Sequence, residues 1–328
     1  MERLRVALVG AGGIGNYHLS QIKKLEGVEV AGVADVDLGR ARELASRAGG
    51  CPSFDQHVAM YDAVKPDAVF IGIPPFAHTD QETAAAQRGI HIFVQKPPAV
   101  TLDKAQQVLA AIEAAGVIAA VGFQDRYLDV VGEAKAALAG QRPGLAMGYW
   151  MGNMPGVPWW RVRSQSGGQA VEQTIHIFDA ARYLFGEVAS IQAMAATGLM
   201  TDVPGYDVDD ASAMTLTFKS GLVCTIFSAC FLRGGPGKAG LDIYCQDLRI
   251  EYALRSNVRL SGPRETREIR HRNDSDLECV QTFVDAVRGG ERAAIRSPYE
   301  DAVRTLELPL AGQRSIETGA AVRIGEWH

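Results

Sequence analysis

The sequence predicts two domains of different class. The first is an α/β domain built on a doubly wound parallel sheet, and the second is an α+β domain built mostly on antiparallel strands. Three observations carry that prediction. Short, wholly apolar runs alternate with helical segments over residues 1–122. From about residue 145 onward, apolar and polar residues alternate within the runs instead. One long helical pattern, AVEQTIHIFDAARYLFG (170–186), interrupts this second set. Wholly apolar strands belong to a sheet covered on both faces, whereas alternation marks a sheet with one wet face.

The elements follow in order. LRVALVG (4–10) is the first apolar run and ends in glycine. A helical stretch leads to VEVAGVAD (28–35) and then to DLGRARELASRAG, with Asp37 placed to cap it. DAVFIGI (67–73) and HIFVQ (91–95) flank TDQETAAAQRG. TLDKAQQVLAAIEAAG is a long helix with Thr101 as N-cap and Asp103 in its first turn, and VIAAVGF (117–123) closes the series. Right-handed crossovers then give a doubly wound sheet. In the second domain LAMGYWMG, SIQAMAA, SAMTLTFKSGLVCTIFSACF, LDIYCQDLRIEYA and NVRLSG read as strands. Met214, Leu216 and Phe218 alternate with Thr215, Thr217 and Lys219, the period of a half-buried strand. KSG (219–221) reads as a hairpin turn, and LECVQTFVDAVRGG and SPYEDAVRTLELPLAGQRSIETG read as helices. No low-complexity linker intervenes, so domains over 1–122 and 123–328 are expected to meet at a packed joint with a cleft.

Composition narrows the function. The 328 residues are 47% hydrophobic and 22% charged, as in soluble globular proteins. A net charge of −5 without a basic run argues against nucleic acid as a partner. Five cysteines, an odd number with no C-x-x-C pair, give no zinc or disulfide framework and suit a reducing cytoplasm, the expected location. MERLRVALVG is too quickly charged for a secretory signal, and no apolar run approaches the ~20 residues of a membrane span.

GAGGIG follows the first strand directly, and Gly10, Gly12 and Gly15 fit G-x-G-x-x-G, with Gly13 and Ile14 opening the next helix. The first glycine permits a tight turn, the second admits a pyrophosphate, and the third lets helix and strand pack closely. The helix N-terminus offers amide donors to phosphate. Asp35 ends the second strand near the distance at which an acidic residue meets the adenosine ribose. Its carboxylate accepts from ribose hydroxyls and repels a 2′-phosphate, and no arginine follows at once, so NAD is favoured over NADP. Asp37 has the separate task of capping.

Two further stretches carry chemistry. VQKPPA (94–99) puts Lys96 at the end of a buried strand, before two prolines that fix the backbone. In the long helix Glu172, His176 and Asp179 lie at i, i+4 and i+7 and share a face. That face reads as a solvated or salt-bridged surface, as part of a metal site, or as an acid–base imidazole supported by Glu172. No third His or Cys is placed for a metal, and none is expected. Trp160 and Arg161, with Trp159, precede Gly167 and Gly168 and suit either substrate contact or core; Arg126, Tyr127 and Thr174 are further substrate candidates. His18 reads as a packing residue, and His57, His91 and His271 as structural or exposed.

GAGGIG, Asp35, IPPFAH (73–78), QKP (95–97) and GGQAVEQTIHIFDAARYLFGEV (167–188) together resemble the Gfo/Idh/MocA oxidoreductases over essentially the whole chain. The resemblance implies an N-terminal Rossmann domain, an open, mostly antiparallel sheet in the second domain, and hydride transfer between NAD and a hydroxyl carbon of a sugar, cyclitol or related polyol. It matches Lys96 to the lysine beside the reacting hydroxyl and His176 to the acid–base. Glu172 stands where the family commonly has Asp, and Asp179 matches a structural aspartate. Ile73, Pro74, Pro75 and His78 match the loop along the cofactor, and GFQDRY (122–127) matches the crossover segment. Gln95 replaces the usual glutamate before the lysine. A homodimer or homotetramer is implied. A redox-neutral NAD-dependent glycosidase or lyase, or a non-catalytic NAD-binding regulator, are the rival functions.

Overall fold

The computed structural model describes residues 3–327; the first two residues and His328 lie outside it. Six strands form a wholly parallel sheet: β1 (Leu4–Val9), β2 (Val28–Ala34), β3 (Ser53–Phe54), β4 (Ala68–Ile71), β5 (His91–Val94) and β6 (Ala119–Val121). Their order is β3-β2-β1-β4-β5-β6. Every residue of β4 is buried. The strand order reverses direction between β1 and β4, and open α/β sheets bind ligands beyond the strand ends at such a point. The glycine loop leaves β1 there.

This first compact unit is not the continuous span 1–122. It comprises residues up to Ala99, Asp103–Gln124 and, from much later in the chain, Asp276–Val303. The reason is packing. The helix Ser275–Val287 brings Phe283 edge-on to Phe70 and Phe93, at 5.7 and 5.5 Å between centroids. Ser297 then finishes the open edge of β6: its carbonyl accepts from the Val121 amide at 3.0 Å, and its hydroxyl donates to the Val121 carbonyl at 2.6 Å.

The second unit comprises Asp125–Ser275 and the described residues from Arg304 onward, with Val100–Leu102. Its sheet is built from β7 (Leu145–Met151), β8 (Val188–Ala196), β9 (Ala211–Phe218), β10 (Val223–Ala229), β11 (Lys238–Tyr244), β12 (Arg249–Ala253), β13 (Asn257–Ser261), β14 (Thr266–Arg270) and β15 (Val322–Arg323). The order is β14-β13-β12-β11-β7-β10-β9-β8-β15, and every neighbouring pair is antiparallel except β7 with β10. Met214, Leu216 and Phe218 are buried and Thr217 is exposed, as the alternation requires.

The segment expected as one helix over 170–186 is two. A short helix, Gln169–Glu172, is followed by Ile175–Phe185. At the break the Thr174 amide donates to the Gln169 carbonyl, five residues back, and Ser228 Oγ donates to Thr174 Oγ1 at 2.9 Å. A threonine hydroxyl tied to a neighbouring strand competes with helical continuity. The second helix lies on β7 and β11. Gly148 of β7 makes this possible, because a Cβ there would stand 2.6 Å from Ile177 Cγ2. Ile177 is fully buried, so its truncation to alanine would cost about 2–5 kcal/mol.

Among the described residues the five cysteines are free, and no helix is long and apolar enough to cross a membrane.

Candidate functional site

Gly10 has φ +96°, and a Cβ there would stand 2.5 Å from the Gly72 carbonyl oxygen. A Cβ on Gly15 would stand 1.9 Å from the Gly10 carbonyl oxygen, so helix and loop touch backbone to backbone. Gly12 and Gly13 differ: an added Cβ meets nothing within 4 Å. The helix Gly13–Ile22 starts at this open surface with no side-chain cap. Its first amides therefore point toward space that a phosphate group fills.

Asp35 braces the same loop. Its Oδ2 accepts from the Ala11 amide at 2.7 Å, and its Oδ1 accepts from the Asp37 amide at 2.9 Å. Asp37 caps the following helix through the amides of Gly39 and Arg40, as its position implied. Arg40 also reaches back to Asp35 Oδ1 at 3.0 Å and to Asp37 Oδ2 at 3.5 Å. No arginine follows Asp35 at once, but the first helical turn brings Arg40 back to it, already paired with two carboxylates. A cleft of about 310 Å³ opens beside them, lined in part by Asp35, Val36, Arg40, His57, Ile73, Pro74 and Phe76. Val36 is 88% exposed and Phe76 46%, apolar surface of the kind a flat aromatic ring covers. Open glycines, an uncapped helix start and this apolar rim fit a dinucleotide.

Of four further residues expected on the cofactor, two have side-chain partners within the chain. Pro75 turns inward at the start of a short 3-10 turn and is buried. His78 is buried with its Nδ1 against Glu82 Oε1. Burial pushes the Glu82 carboxyl up, but His78 outweighs it and holds the group below its usual range. Gln95 folds its side chain onto the next amide, accepting from Lys96 N at 3.0 Å. The missing Cβ of Gly122 leaves room for this, since one would stand 2.2 Å from Gln95 Oε1. Lys96 itself is half-buried just beyond β5. His57, read from sequence as structural or exposed, instead lines the cleft and pairs with Asp80 at 3.1 Å.

In the second unit the chemistry gathers on one helix face. His176 is 4% exposed, with its Nδ1 2.8 Å from Asp125 Oδ2. The expected support was Glu172. A helix break falls between Glu172 and His176, and Glu172 Oε2 accepts from the Trp160 indole N–H at 2.7 Å. Trp150 stacks on the His176 ring at 5.7 Å and 22°. One residue beyond Asp125, Arg126 grips Asp179 with two bonds, Nε to Oδ2 at 2.8 Å and Nη2 to Oδ1 at 2.6 Å. Thr305 Oγ1 adds a third bond to Asp179 at 3.0 Å. Adjacent residues of the turn Gln124–Tyr127 thus hold His176 and Asp179, which share a helix face at i and i+3. Arg255 completes the arrangement, its Nε donating to Asp125 Oδ1 at 2.6 Å. Burial pushes the Asp125 carboxyl up, but His176 and Arg255 together hold it far below its usual range.

The substrate candidates fare unequally. Arg126 is locked to Asp179; Tyr127 is 2% exposed, its carbonyl accepting from Asn273 Nδ2 at 2.7 Å; Thr174 is buried on Ser228. Trp160 is fully buried in a small cluster with Val208 and Cys230. Arg161 and Trp159 remain half-buried on the same turn. The residues missed from sequence are Asp125, Trp150 and Arg255. Only Asp125 carried a signal, as a charge within the apolar stretch AVGFQDRYL. No group of three or more His, Cys, Asp or Glu gathers in metal-holding geometry among the described residues.

Comparison with known proteins identifies the family and the fold. Residues 4–123 match the family described as oxidoreductase, NAD-binding Rossmann fold, and residues 144–251 match the GFO/IDH/MocA C-terminal domain. The chain is 26% identical to D-glucoside 3-dehydrogenase of Escherichia coli, covering 98% of this chain and 97% of that protein. It is likewise 26% identical to myo-inositol 2-dehydrogenase of Thermotoga maritima, over 98% and 99% of the two chains. Levoglucosan dehydrogenase in complex with NADH shares the fold, with a TM-score of 0.88 and 19% identity over 99% of this chain and 100% of that one. With matched models for both the nucleotide-binding half and the sheet half, the chain belongs to the Gfo/Idh/MocA family of NAD-binding oxidoreductases.

Proposed function

We propose that this protein oxidises a secondary hydroxyl of a sugar, cyclitol or related polyol. The observation that carries the reading is the buried His176–Asp125 pair in a chain whose first unit carries an open glycine loop. Gly10, Gly12, Gly13, Ile14, Gly15 and Asp35 would hold NAD, together with Ile73 and Pro74. When bound, NAD supplies the acceptor for the hydride. His176 takes the hydroxyl proton as general base. Lys96 supplies an ammonium that stabilises alkoxide character as the proton leaves. Arg161 and Trp159 are the residues offered for sugar contacts, a planar donor and an aromatic face. NAD is preferred to NADP because Arg40 already faces two carboxylates and Asp35 repels a 2′-phosphate. The second unit leaves Met194, Val223 and Phe227 exposed on its sheet, 75%, 37% and 39% accessible, which favours a homo-oligomer that covers this face.

The test is a panel of sugars, inositols and sugar acids with NAD and with NADP, followed by absorbance of the reduced nicotinamide. Net accumulation of NADH with at least one polyol is expected. Conversion of substrate with no net NADH would point to redox-neutral chemistry instead. Tight NAD binding without turnover anywhere would point to a regulator.

A further inference from the structure

We infer that Asp125, held by Arg255, is the positioning carboxylate of His176. This deepens the proposed function and rests on its reading of His176 as the base. Four observations support it. Asp125 is 3% exposed; its Oδ2 faces His176 Nδ1 at 2.8 Å, and Arg255 donates to both oxygens, Nε to Oδ1 at 2.6 Å and Nη2 to Oδ2 at 3.3 Å. Arg255 lies on the turn between β12 and β13 with φ +54°, a left-handed conformation that costs a non-glycine residue about 1 kcal/mol. That strain is retained where the side chain reaches Asp125. The bidentate Arg126–Asp179 pair fixes the adjacent residue to the same helix, so Asp125 has little freedom to swing away. Trp150 closes on the flat face of the imidazole, so the ring is constrained at an edge and at a face.

A carboxylate at Nδ1 fixes the neutral tautomer with its proton on Nδ1 and assigns proton exchange with substrate to Nε2. It also favours the protonated ring, so that His176 accepts a proton more readily. Arg255 has the opposite effect at one remove, because its charge partly neutralises Asp125. Tyr252 and Glu172 are further titratable groups of the second unit that bear on this arrangement. Tyr252 is packed in the field of Asp125, and burial followed by that charge keeps its phenol protonated well above its ordinary range. Glu172 ends the preceding short helix and carries the Trp160 indole. The Arg126–Asp179 pair is internally neutral.

The experiment is a pH–rate profile for polyol oxidation in the holoenzyme, joined to ¹⁵N histidine NMR. His176 is assigned by comparison with His176→Ala. The base must be unprotonated, so the rate rises with pH through the His176 titration. Asp125→Asn is expected to lower turnover about tenfold or more and to move this rising limb down by about one pH unit. Arg255→Met is expected to move it up, and Glu172→Gln to leave it in place. Neutral His176 is expected to carry its proton on Nδ1. A limb unmoved in Asp125→Asn, a limb moved by Glu172→Gln, or a neutral ring protonated on Nε2 would each overturn the assignment. If Asp125→Asn does not fold, the tautomer in the wild-type protein and the direction of the Arg255→Met shift decide. Absence of turnover on every polyol would defeat the proposed function alone, because the histidine titration judges Asp125 without it.

Discussion

His18 and His176 are both buried on helices, at 1% and 4% exposure, yet they are opposite environments for a proton. His18 lies among rings, 5.3 Å from Tyr17, 5.5 Å from Phe70 and 5.6 Å from Phe93, and neither ring nitrogen has a hydrogen-bond partner. Burial pulls its imidazole down to about 3. His176 has a carboxylate at 2.8 Å and one aromatic face. Burial alone disfavours a charged imidazole; a fixed anion beside a buried imidazole favours it. The location of a histidine on a helix therefore says little about its chemistry until its neighbours from elsewhere in the chain are known.

The comparison breaks first at turnover. His176→Ala should reduce polyol oxidation by about two orders of magnitude or more, while NAD affinity by fluorescence titration stays within about twofold. Lys96→Met should give a loss of similar size. His18→Leu, in contrast, should leave turnover within about threefold; a loss as large as that of His176→Ala would abolish the distinction drawn here.

The next effect is on stability against pH. The unfolded chain binds a proton at His18 near pH 6.5, whereas the folded chain resists it down to about 3. Unfolded protein therefore takes up more protons as pH falls through this window, and stability declines with it. The full contribution is present above 6.5, and about 2 kcal/mol should be lost by pH 5. Urea unfolding at both values should show this slope in the wild type and not in His18→Leu. Trp150→Leu comes third: removing the ring face should lower turnover about tenfold through poorer orientation of His176, with NAD binding unchanged. Smallest is Glu172→Gln, which weakens the bond to the Trp160 indole. A loss of about 1 kcal/mol in thermal unfolding, with turnover within about threefold, would place Glu172 in loop anchoring rather than in proton transfer.

The same contrast explains what could be read from residues alone. The glycine loop was legible because its working parts are contiguous: Gly10, Gly12 and Gly15 need only β1 before them and a helix after. Met214, Leu216 and Phe218 announced their buried face by period. The surroundings of His176 gave no such sign. Asp125 and Arg255 come from a turn and a hairpin far from it in sequence, and no period or spacing joins them. The apolar pattern over 170–186 runs unbroken through Gln173 and Thr174, so the helix break depends on Ser228 of a distant strand. The side chains of His78 and Gln95, expected along the cofactor, bond within the unit.

The late return of Asp276–Val303 has a consequence for biosynthesis. A ribosome delivers β1 to β6 first, but Phe283 and Ser297 emerge only after most of the second unit's strands. Until then a nascent nucleotide-binding half carries a bare phenylalanine pair and an unfinished strand edge, both invitations to aggregation. Folding of that half is thereby made to wait for the other, and a gene cut after residue 124 should yield an insoluble product rather than a miniature coenzyme-binding module.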